Sequence, residues 1–393
     1  MDIEMETRIY TLKDISLNIC DGVHNTVIDD NNGECFLLSA KNIKNGIISY
    51  SSNDRRINKE TKDKLSKRTK ISKDDVVIST VGTIGELAIV DEKCEEYDFQ
   101  RSVGIIKCNP KFVDFRFLFY LLGSYSYNYY FHVIATGAAQ PCIFLSTLNK
   151  LKVQIPNLPT QQKIASILST YDNLIQNYKK QIEVLQICAS ELYKEWFVRF
   201  RFPGYQTAQF ENGIPVGWKV ERIGEYCSIK VGGDVPEENS ETRDEKYKYP
   251  IFSNGINEDG LYGFTDTFKI SDPSVSISAR GTVGFVCLRR EPYYPIVRLI
   301  CLIPKKEIGV FYLYHSLKYA DLDGNGTSQQ QLTAPMVSKR KIVIAEEKLI
   351  EKFNLNAKII YNKIDLLKIQ ITNLTQQRDL LLPRLMSGKL EVE

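Results

Sequence analysis

The feature that most constrains this chain is an internal repeat, because whatever fold one half adopts must also suit the other half. The segment VVISTVGTIGELAIV at residues 76–90 returns as VSISARGTVGFVCL at residues 275–288, with the Gly-Thr-x-Gly turns 199 residues apart. Further along, the sequence GAAQ at residues 137–140 matches GTSQ at residues 326–329 at an offset of 189. The change of offset indicates two copies of one module that have diverged by insertions and deletions between shared anchors.

Each copy has the sequence pattern of a mixed α and β module. Short β-branched runs at residues 76–79 and 275–278 lead into the Gly-Thr-x-Gly turns, which is typical of strands and tight hairpins. Aromatic-rich stretches at residues 112–131 and 310–319 predict helices that are mostly buried. The loops between these elements are long enough to carry recognition.

A long heptad seam closes each copy, with apolar side chains at alternating steps of four and three. In the first copy the seam consists of Ile164, Leu168, Tyr171, Ile175, Tyr178, Ile182, Leu185, Ala189, Leu192 and Trp196. In the second copy it consists of Phe353, Ala357, Ile360, Ile364, Leu367, Ile371, Leu374, Leu381 and Leu385, with Arg378 as an interruption. One such seam is typical of an ordinary core helix. Two matched seams, each roughly 50 to 60 Å long at 1.5 Å per residue, need partners of similar length.

We therefore predict an α+β fold in which two mixed α/β modules are separated by two long helices that pair as an antiparallel coiled coil. A pseudo-twofold axis would relate the two copies. Antiparallel pairing is expected because the connection at residues 202–216 is too short to return the chain to the opposite end of the first helix. The predicted segments are a first module at residues 1–158, a first helix at 159–202, a second module at 203–345 and a second helix at 346–393.

Composition argues against several classes of protein. Because 51 Lys and Arg face 48 Asp and Glu, the net charge is only +3, and any basic surface for nucleic acid must be local. The N-terminal sequence is unlike a secretion signal and no apolar run is long enough to span a bilayer, which favours a cytoplasmic location. The nine cysteines never occur in Cys-x-x-Cys spacing and the three histidines are isolated. We therefore expect reduced, packed thiols and no metal site.

Several short motifs, taken in order, resemble those of one known family. They are LPTQQKI at residues 158–164, IPVGW at 214–218, LLPRLMSG at 381–388, the pair of segments 12–15 and 21–24, and YPIFSNG at 249–255. Together with the duplicated order of module and long helix, they resemble the specificity subunit of Type I restriction-modification systems. The resemblance covers nearly all of the chain.

The resemblance implies that each module is a target recognition domain that reads one half of a split, asymmetric DNA site. It also implies that the long helices space the modules and dock modification subunits, two in number, with a restriction subunit completing the endonuclease. Catalysis would then belong to the partners, and S-adenosylmethionine, ATP and magnesium would be bound there rather than by this chain. In agreement, the sequence lacks an Asn/Asp-Pro-Pro-Tyr tetrad and a Gly-x-x-x-x-Gly-Lys-Ser/Thr phosphate loop.

Candidate DNA-binding residues occur in both copies. A basic run at residues 55–70 suggests phosphate contacts, and its candidates are Arg55, Arg56, Lys64, Lys67 and Arg68. Basic residues of the second copy are more dispersed: Lys246, Lys248, Lys269, Arg280, Arg289, Arg290 and Arg298.

Side chains suited to reading bases follow predicted turns or strands: His24, Asn25, Lys41, Asn42, Lys44, Asn254, Asn257 and Arg280. Each of these also fits an ordinary turn or surface residue, and the basic run also fits a solvated helix face. Gln140, Gln329, Gln330 and Gln331 fit turns or helix caps better than base contacts.

Two alternatives to a recognition subunit remain at this stage. Asp54, Glu60 and Lys62 follow the order of carboxylates and lysine found in many magnesium nucleases, although the intervening residues are too polar for a buried strand. The chain could instead be a coiled-coil scaffold that holds other subunits without reading DNA sequence. The sequence does not reveal the target bases, because half-site preference would lie in the loops where the copies no longer align.

Overall fold

The computed structural model describes residues 6–136, 141–320 and 331–390. The repeat anchors at residues 137–140 and 326–329, with Gln140, Gln329 and Gln330, lie outside the described residues. The chain divides into two compact units, called unit 1 (Met1–Asn177 with Gln370–Glu393) and unit 2 (Tyr178–Ile369).

Unit 1 is built on a four-stranded antiparallel sheet. Its strands are β1 (Thr7–Thr11), β2 (Ser16–Asp21), β3 (Cys35–Leu38), β4 (Ile43–Lys44), β5 (Ile47–Ile48), β6 (Arg56–Ile57), β7 (Val76–Ser79), β8 (Leu87–Ile89), β9 (Tyr97–Phe99), β10 (Val103–Cys108) and β11 (Lys152–Pro156). Its helices are α1 (Lys59–Thr69), α2 (Phe115–Leu122), α3 (Tyr125–Ile134) and α4 (Leu145–Lys150). The central sheet has the order β2-β10-β7-β8, β6-β3-β9 form a second sheet, and β1 pairs with β11.

Unit 2 repeats this plan. Its strands are β12 (Phe210–Glu211), β13 (Ile214–Pro215), β14 (Lys219–Arg222), β15 (Cys227–Val231), β16 (Asn239–Ser240), β17 (Tyr249–Phe252), β18 (Leu261–Thr265), β19 (Ser274–Ile277), β20 (Val286–Arg289), β21 (Tyr294–Pro295), β22 (Ile300–Pro304) and β23 (Lys341–Ile344). Its shorter helices are α6 (Ile223–Tyr226), α7 (Val310–Tyr319) and α8 (Ala334–Ser338). The order β15-β22-β19-β20 corresponds to that of the central sheet of unit 1, and β14 pairs with β23 as β1 pairs with β11.

Burial on both faces explains why the central strands are continuous apolar runs. Val76, Val77 and Ile78 of β7 are fully buried, as are Val275 and Ile277 of β19. A strand covered on both faces has no solvent side on which polar residues would alternate. The two β-branched runs predicted as strands are thus confirmed, with β19 beginning one residue earlier than expected.

Backbone hydrogen bonds confirm the internal repeat at both of its offsets. Gly85 N–H donates to the Ser79 carbonyl at 3.0 Å, and Gly284 N–H donates to the Ser278 carbonyl at 3.0 Å, which corresponds to the offset of 199. The offset of 189 appears where Ile143 N–H donates to the Thr80 carbonyl at 2.9 Å and Leu332 N–H donates to the Ala279 carbonyl at 3.0 Å. The Gly-Thr-x-Gly turns need glycine because Gly82, Gly85, Gly281 and Gly284 have φ of 83°, 86°, 68° and 84°.

The two heptad seams form long helices. Helix α5 (Leu158–Tyr193) continues as a π-helical turn through Val198, and α9 runs from Glu347 to Met386. In unit 1, Asp172 of α5 pairs with Arg378 of α9 at 2.5 Å. In unit 2, the ring of Tyr193 lies 5.8 Å from that of Phe353. Within each unit an early part of one helix therefore meets a late part of the other, which is the predicted antiparallel pairing.

Most of the predicted seam is removed from solvent. Ile164, Leu168 and Ile175 of α5 and Ile364 and Leu367 of α9 are buried. Ala189, Trp196, Phe353, Ala357 and Leu385 are buried as well. The other seam residues are partly buried, among them Tyr171, Ile182, Leu185, Ile360, Ile371 and Leu374. Helix α9 continues past Pro383 and stops at Met386.

The aromatic stretch at residues 112–131 is helical, as predicted, but less of it is buried than predicted. It forms two helices, α2 and α3, because the backbone of Ser124 is extended, with φ of −67° and ψ of 153°. Helix α2 is mostly buried, whereas α3 buries only Phe131 and exposes Tyr125 by 85% and Tyr129 by 63%. The sequence pattern did not distinguish a buried aromatic helix from one with an aromatic outer face.

Two further findings concern the rest of the chain. The nine cysteines are free thiols: Cys35, Cys94, Cys227, Cys287 and Cys301 are buried and Cys188 is exposed. Within the described residues, no helix is both long enough and apolar enough to cross a membrane.

Candidate nucleic-acid interface

The loop edge of the central sheet in unit 1 is where β2 ends and β10 begins. Asp21 lies opposite Gly104 in the ladder between these strands. Beyond it, Gly22 N–H donates to the Val103 carbonyl at 3.0 Å, and Arg101 N–H donates to the Val23 carbonyl at 2.9 Å. These bonds hold two loops side by side at the same edge.

A cleft of about 240 Å³ opens between these loops. It is lined by Val23, His24, Asn25, Thr26, Val27, Leu37, Arg55, Gln100 and Arg101. The structure thus brings together three predicted residues that are far apart in sequence: His24, Asn25 and Arg55. It adds Gln100 and Arg101, which the sequence analysis did not select.

A carboxylate fixes two of the candidate side chains. Asp21 accepts from Arg68 Nη2 on Oδ1 at 2.5 Å, and His24 Nε2 lies 2.5 Å from Oδ2. Arg68 also donates from Nη1 to the Gly22 carbonyl at 2.6 Å. The Asp21 side chain is 11% exposed, whereas those of His24 and Arg68 are 55% and 48% exposed. Two half-exposed side chains are therefore held in fixed positions by one nearly buried acid.

The two arginines that begin the basic run support the loop that carries His24 and Asn25. Arg55 donates from Nε to Asp29 Oδ1 at 2.7 Å and from Nη2 to the Val27 carbonyl at 2.8 Å. Arg56 lies with its guanidinium carbon 5.2 Å from the ring centre of Phe36. Their charges are thus partly engaged within unit 1.

Helix α1 carries the rest of the basic run. Asn58 caps the helix by accepting the Thr61 N–H at 2.9 Å, so the charged residues that follow occupy a regular surface. Lys64 pairs with Glu60 one turn earlier at 2.7 Å. Lys67 is exposed and forms no ion pair with any residue in the described ranges. Its ammonium group is therefore available for a phosphate contact.

The predicted base reader Asn42 is inside the protein. It is 4% exposed and donates from Nδ2 to the Ser49 carbonyl at 3.0 Å and to Asp54 Oδ1 at 3.1 Å, while its Oδ1 accepts the Ser39 N–H at 3.0 Å. The pKa of Asp54 is lowered to about 2 by the hydrogen bond from Asn42 and by Lys41. Every polar group of the Asn42 amide is therefore used internally, whereas Lys41 and Lys44 are exposed.

The nuclease-like residues do not converge on one site. Asp54 is engaged by Asn42 and Lys41, Glu60 pairs with Lys64 at 2.7 Å, and the buried Lys62 pairs with Glu95 at 3.3 Å. Across residues 6–136, 141–320 and 331–390, no group of three or more His, Cys, Asp or Glu side chains could hold a metal ion. The arrangement gives no support to the nuclease alternative.

The same sheet edge recurs in unit 2 with the same backbone hydrogen bonds. Gly232 N–H donates to the Leu299 carbonyl at 2.8 Å, and Val297 N–H donates to the Gly233 carbonyl at 2.8 Å. These bonds match those made by Gly22 and Arg101 in unit 1. Val297 and Leu299 lie 196 residues after their counterparts Arg101 and Val103. The tip at residues 100–102, Gln-Arg-Ser, therefore corresponds to Ile-Val-Arg at residues 296–298.

The predicted DNA-binding residues of unit 2 differ in their exposure and in their partners. Asn254 donates from Nδ2 to the Val297 carbonyl at 2.6 Å and accepts the Ala279 N–H on Oδ1 at 2.7 Å, so its amide holds two loops together. Arg280, next to Ala279, is exposed and donates to Gln331 Oε1 at 3.3 Å. Asn257 and Lys248 are exposed, and Lys246 pairs with Glu238 at 2.6 Å.

Comparison with known proteins agrees with this duplicated architecture. The sequence profile of the Type I restriction modification DNA specificity domain matches residues 12–186 and again residues 215–377. A putative type I specificity subunit of Mycoplasma pneumoniae is 26% identical over 346 residues, which cover 86% of this chain and 85% of the relative. The MjaIX specificity subunit of Methanocaldococcus jannaschii, a Type I restriction enzyme subunit, is 28% identical over 302 residues, covering 70% of this chain and 69% of that protein.

A solved structure has the same fold. The crystal structure of the Type I restriction-modification S subunit from M. genitalium matches with a TM-score of 0.63 and 18% identity, covering 98% of this chain and 97% of that one. The duplicated fold and the two matches to the family profile together define a duplicated DNA-specificity architecture. The chain belongs to the family of Type I restriction modification DNA specificity domains, and it is a Type I specificity subunit with two target recognition domains.

Proposed function

We propose that each unit reads one half of a split, asymmetric DNA site through the loop edge of its central sheet. The observation that carries this proposal is that the two edges share one backbone hydrogen-bond pattern but present different side chains. Where unit 1 has Arg101, unit 2 has Val297, and where unit 1 has Ser102, unit 2 has Arg298. A shared frame with different polar groups suits the recognition of two different sequences.

The test is to reconstitute the chain with its modification subunit and map the methylated bases on a library of DNA sequences. Replacing Asn25 and Arg101 with alanine should relax the preference in one half-site only. The matched control is Lys13→Ala, an exposed residue before β2 and thus at the opposite end of that strand from Asp21. Equal loss of preference in both half-sites would contradict separate reading by the two units.

We infer that the long helices dock the modification subunits, two per chain, and that a restriction subunit completes the nuclease complex. In unit 2, α9 exposes a second apolar stripe beside its buried seam, with Leu355 61%, Ile359 63%, Leu366 48% and Ile369 58% exposed. Four large apolar side chains at spacings of four, seven and three lie on one side of a helix, and such a stripe marks a protein contact.

This docking role is tested by Ile359→Asp combined with Leu366→Asp. The double variant should fold normally, because both side chains are exposed, and should fail to co-purify with the modification subunit. Lys306→Glu, an exposed charge change in unit 2 outside α9, serves as the control. Normal assembly of the double variant would show that the modification subunit docks on another surface.

The long helices are further proposed to set the separation of the half-sites, with centres about one helical turn, roughly 34 Å, apart. Inserting four residues into both helices should lengthen each by about 6 Å and change the preferred gap in the methylated site. An unchanged gap in a complex that still assembles would contradict the spacer role.

We propose that this chain performs no catalysis itself and binds no cofactor. S-adenosylmethionine, ATP and magnesium would act on the partner subunits, and the role requires a cytoplasmic location, where the DNA is. The divergent partners of Asp54, Glu60 and Lys62 support this view. The purified chain should therefore leave DNA uncut with magnesium alone, and cleavage abolished by Asp54→Asn would contradict the proposal.

A further inference from the structure

The tip that joins β21 to β22 in unit 2 has an unusual backbone. Val297 and Arg298 have φ of 52° and 60°, so two successive residues with side chains occupy the left-handed region. This conformation is a genuine outlier for a β-branched residue such as valine. Strain of this kind persists only where the surroundings hold it, and it gathers at functional sites.

Neighbouring backbone groups fix this tip from one side. Val297 N–H donates to the Gly233 carbonyl at 2.8 Å, and Arg298 N–H donates to the Gly232 carbonyl at 3.0 Å. Position 232 must be glycine, because a Cβ there would lie 2.7 Å from the carbonyl oxygen of Ile296. The glycine therefore permits the close approach that holds the tip.

The Asn254 side chain fixes the tip from the other side and links it to a second arginine. Its amide joins the Val297 carbonyl to the Ala279 N–H, and Arg280 follows Ala279 directly. In unit 1 the corresponding loops touch without an inserted side chain, since Thr80 N–H donates to the Ser102 carbonyl at 2.8 Å. Asn254 thus sets the distance between two arginine-bearing turns in unit 2 alone.

The side chains at this tip point to solvent. Val297 is 46% exposed, and Arg298 is exposed with no ion pair or side-chain hydrogen bond to the described residues. Arg298 therefore keeps all five N–H donors of its guanidinium available. A free guanidinium on a rigid backbone has the fork geometry that matches the O6 and N7 acceptors of guanine.

We propose that Arg298 is a specificity-determining residue that reads a guanine in the half-site bound by unit 2, and that Asn254 is its positioning residue. This inference rests on the proposed function of unit 2. A base contact is favoured over a phosphate contact because binding to phosphate does not require a strained, doubly anchored backbone. Val297 extends the same argument, because its exposed methyl groups suit the methyl group of a neighbouring thymine and offer nothing to a phosphate.

The experiment uses the chain assembled with its modification subunit and a DNA library randomised at both half-sites. Arg298→Ala should relax the guanine preference at one position by roughly 10- to 100-fold and leave the other half-site unchanged. Arg298→Lys should recover part of that preference. Arg340→Ala, an exposed arginine before β23, is the matched control.

Asn254→Ala should broaden the preference at the same position, and Asn254→Asp should do so at least as much, because its carboxylate still accepts the Ala279 N–H but cannot donate to the Val297 carbonyl and repels it. A merely structural role would instead change assembly or melting temperature without selecting one base position. A uniform loss of methylation on all sequences after Arg298→Ala would make this residue a phosphate contact and overturn the inference. So would an unchanged preference, or a wild-type half-site without guanine. If the wild-type complex shows no split site at all, the proposed function fails before this inference is reached.

Discussion

Arg378 of α9 donates from Nη1 to Asp172 Oδ1 of α5 at 2.5 Å, and Tyr120 donates to the other oxygen of the same carboxylate at 2.5 Å. Both charged side chains are about three-quarters buried, with exposures of 28% for Arg378 and 27% for Asp172. Arg378 is the residue that interrupts the apolar seam in the sequence. The interruption is therefore an ion pair that favours one alignment of the two helices within unit 1, as polar seam residues do in coiled coils.

Replacing Arg378 with alanine should lower the free energy of unfolding by about 1 to 3 kcal/mol, because it leaves a partly buried carboxylate without its charged partner. Urea unfolding of Arg378→Ala, Asp172→Ala and the double variant gives the coupling between the two residues. Arg384→Ala, an exposed arginine in the last turn of α9, is the control. If the losses in unfolding free energy of the two single variants add up to that of the double variant, the ion pair contributes nothing to stability.

Aspartate at two seam positions should separate the helices. Ile175 and Ile364 are 5% and 2% exposed, so Ile175→Asp or Ile364→Asp places a charge in an apolar contact and should cost several kcal/mol, on the order of 3. Thermal unfolding measures the loss. Ile359→Asp on the exposed stripe of α9 is the matched control, and an equal loss in that variant would show that the seam is not the helix contact.

Buried His315 should make the chain less stable in mild acid. It is 3% exposed, and Tyr361 Oη lies 3.2 Å from its Nε2. Burial, with a contribution from Lys318, lowers the pKa of His315 from 6.5 to about 3. His315 takes up a proton near pH 6.5 in the unfolded chain but not in the folded chain. The free energy of unfolding is therefore highest above pH 6.5. It falls by up to about 1.4 kcal/mol per pH unit as the pH decreases toward 3.

His315→Gln should flatten this acid dependence, because glutamine takes up no proton in the unfolded state. Urea unfolding at about pH 7.5 and pH 5 should show the wild type losing roughly 2 kcal/mol more than the variant between these values. His132→Gln, on the exposed face of α3, is the control. Parallel losses in the wild type and His315→Gln would mean that His315 does not differ between the folded and unfolded states.

The basic surface of α1 should contribute to DNA affinity without contributing to sequence preference. Lys64→Gln and Lys67→Gln should weaken binding to every sequence similarly and reduce the salt slope by about one per lost phosphate contact. Arg55→Gln and Arg56→Gln should act in the same direction but also loosen the loop that carries His24, because both arginines bind that loop. Binding to target and random DNA over a range of salt concentrations, with Lys13→Gln as the control, separates these effects. Selective loss on the target site would make Lys64 and Lys67 base readers.

Patterns within short stretches of sequence predicted the fold well. The β-branched runs gave β7 and β19, and the heptads gave α5 and α9, because burial imposes a local period on the sequence. The break between α2 and α3 was not predicted because the aromatic pattern continues on both sides of Gly123 and Ser124.

The candidate site could be predicted only in part, because its geometry depends on contacts between distant residues. Asn42 and Asn254 were selected for an amide that can read adenine, but their amides are engaged by Asp54 and Val297, 12 and 43 residues away. Arg101 was missed because its loop joins His24 only through backbone bonds across the sheet. The internal repeat did not reveal Arg101 either, because the two copies correspond there at an offset of 196, which lies between the offsets of 189 and 199 visible in the sequence.

The most direct test of the account is to map methylated bases in DNA from cells that express this chain with its modification subunit. The account predicts an asymmetric site in two parts, separated by a gap of unspecified bases, because two equivalent sheet edges carry different side chains. A single uninterrupted palindrome would contradict it, since such a site would require both units to read the same bases.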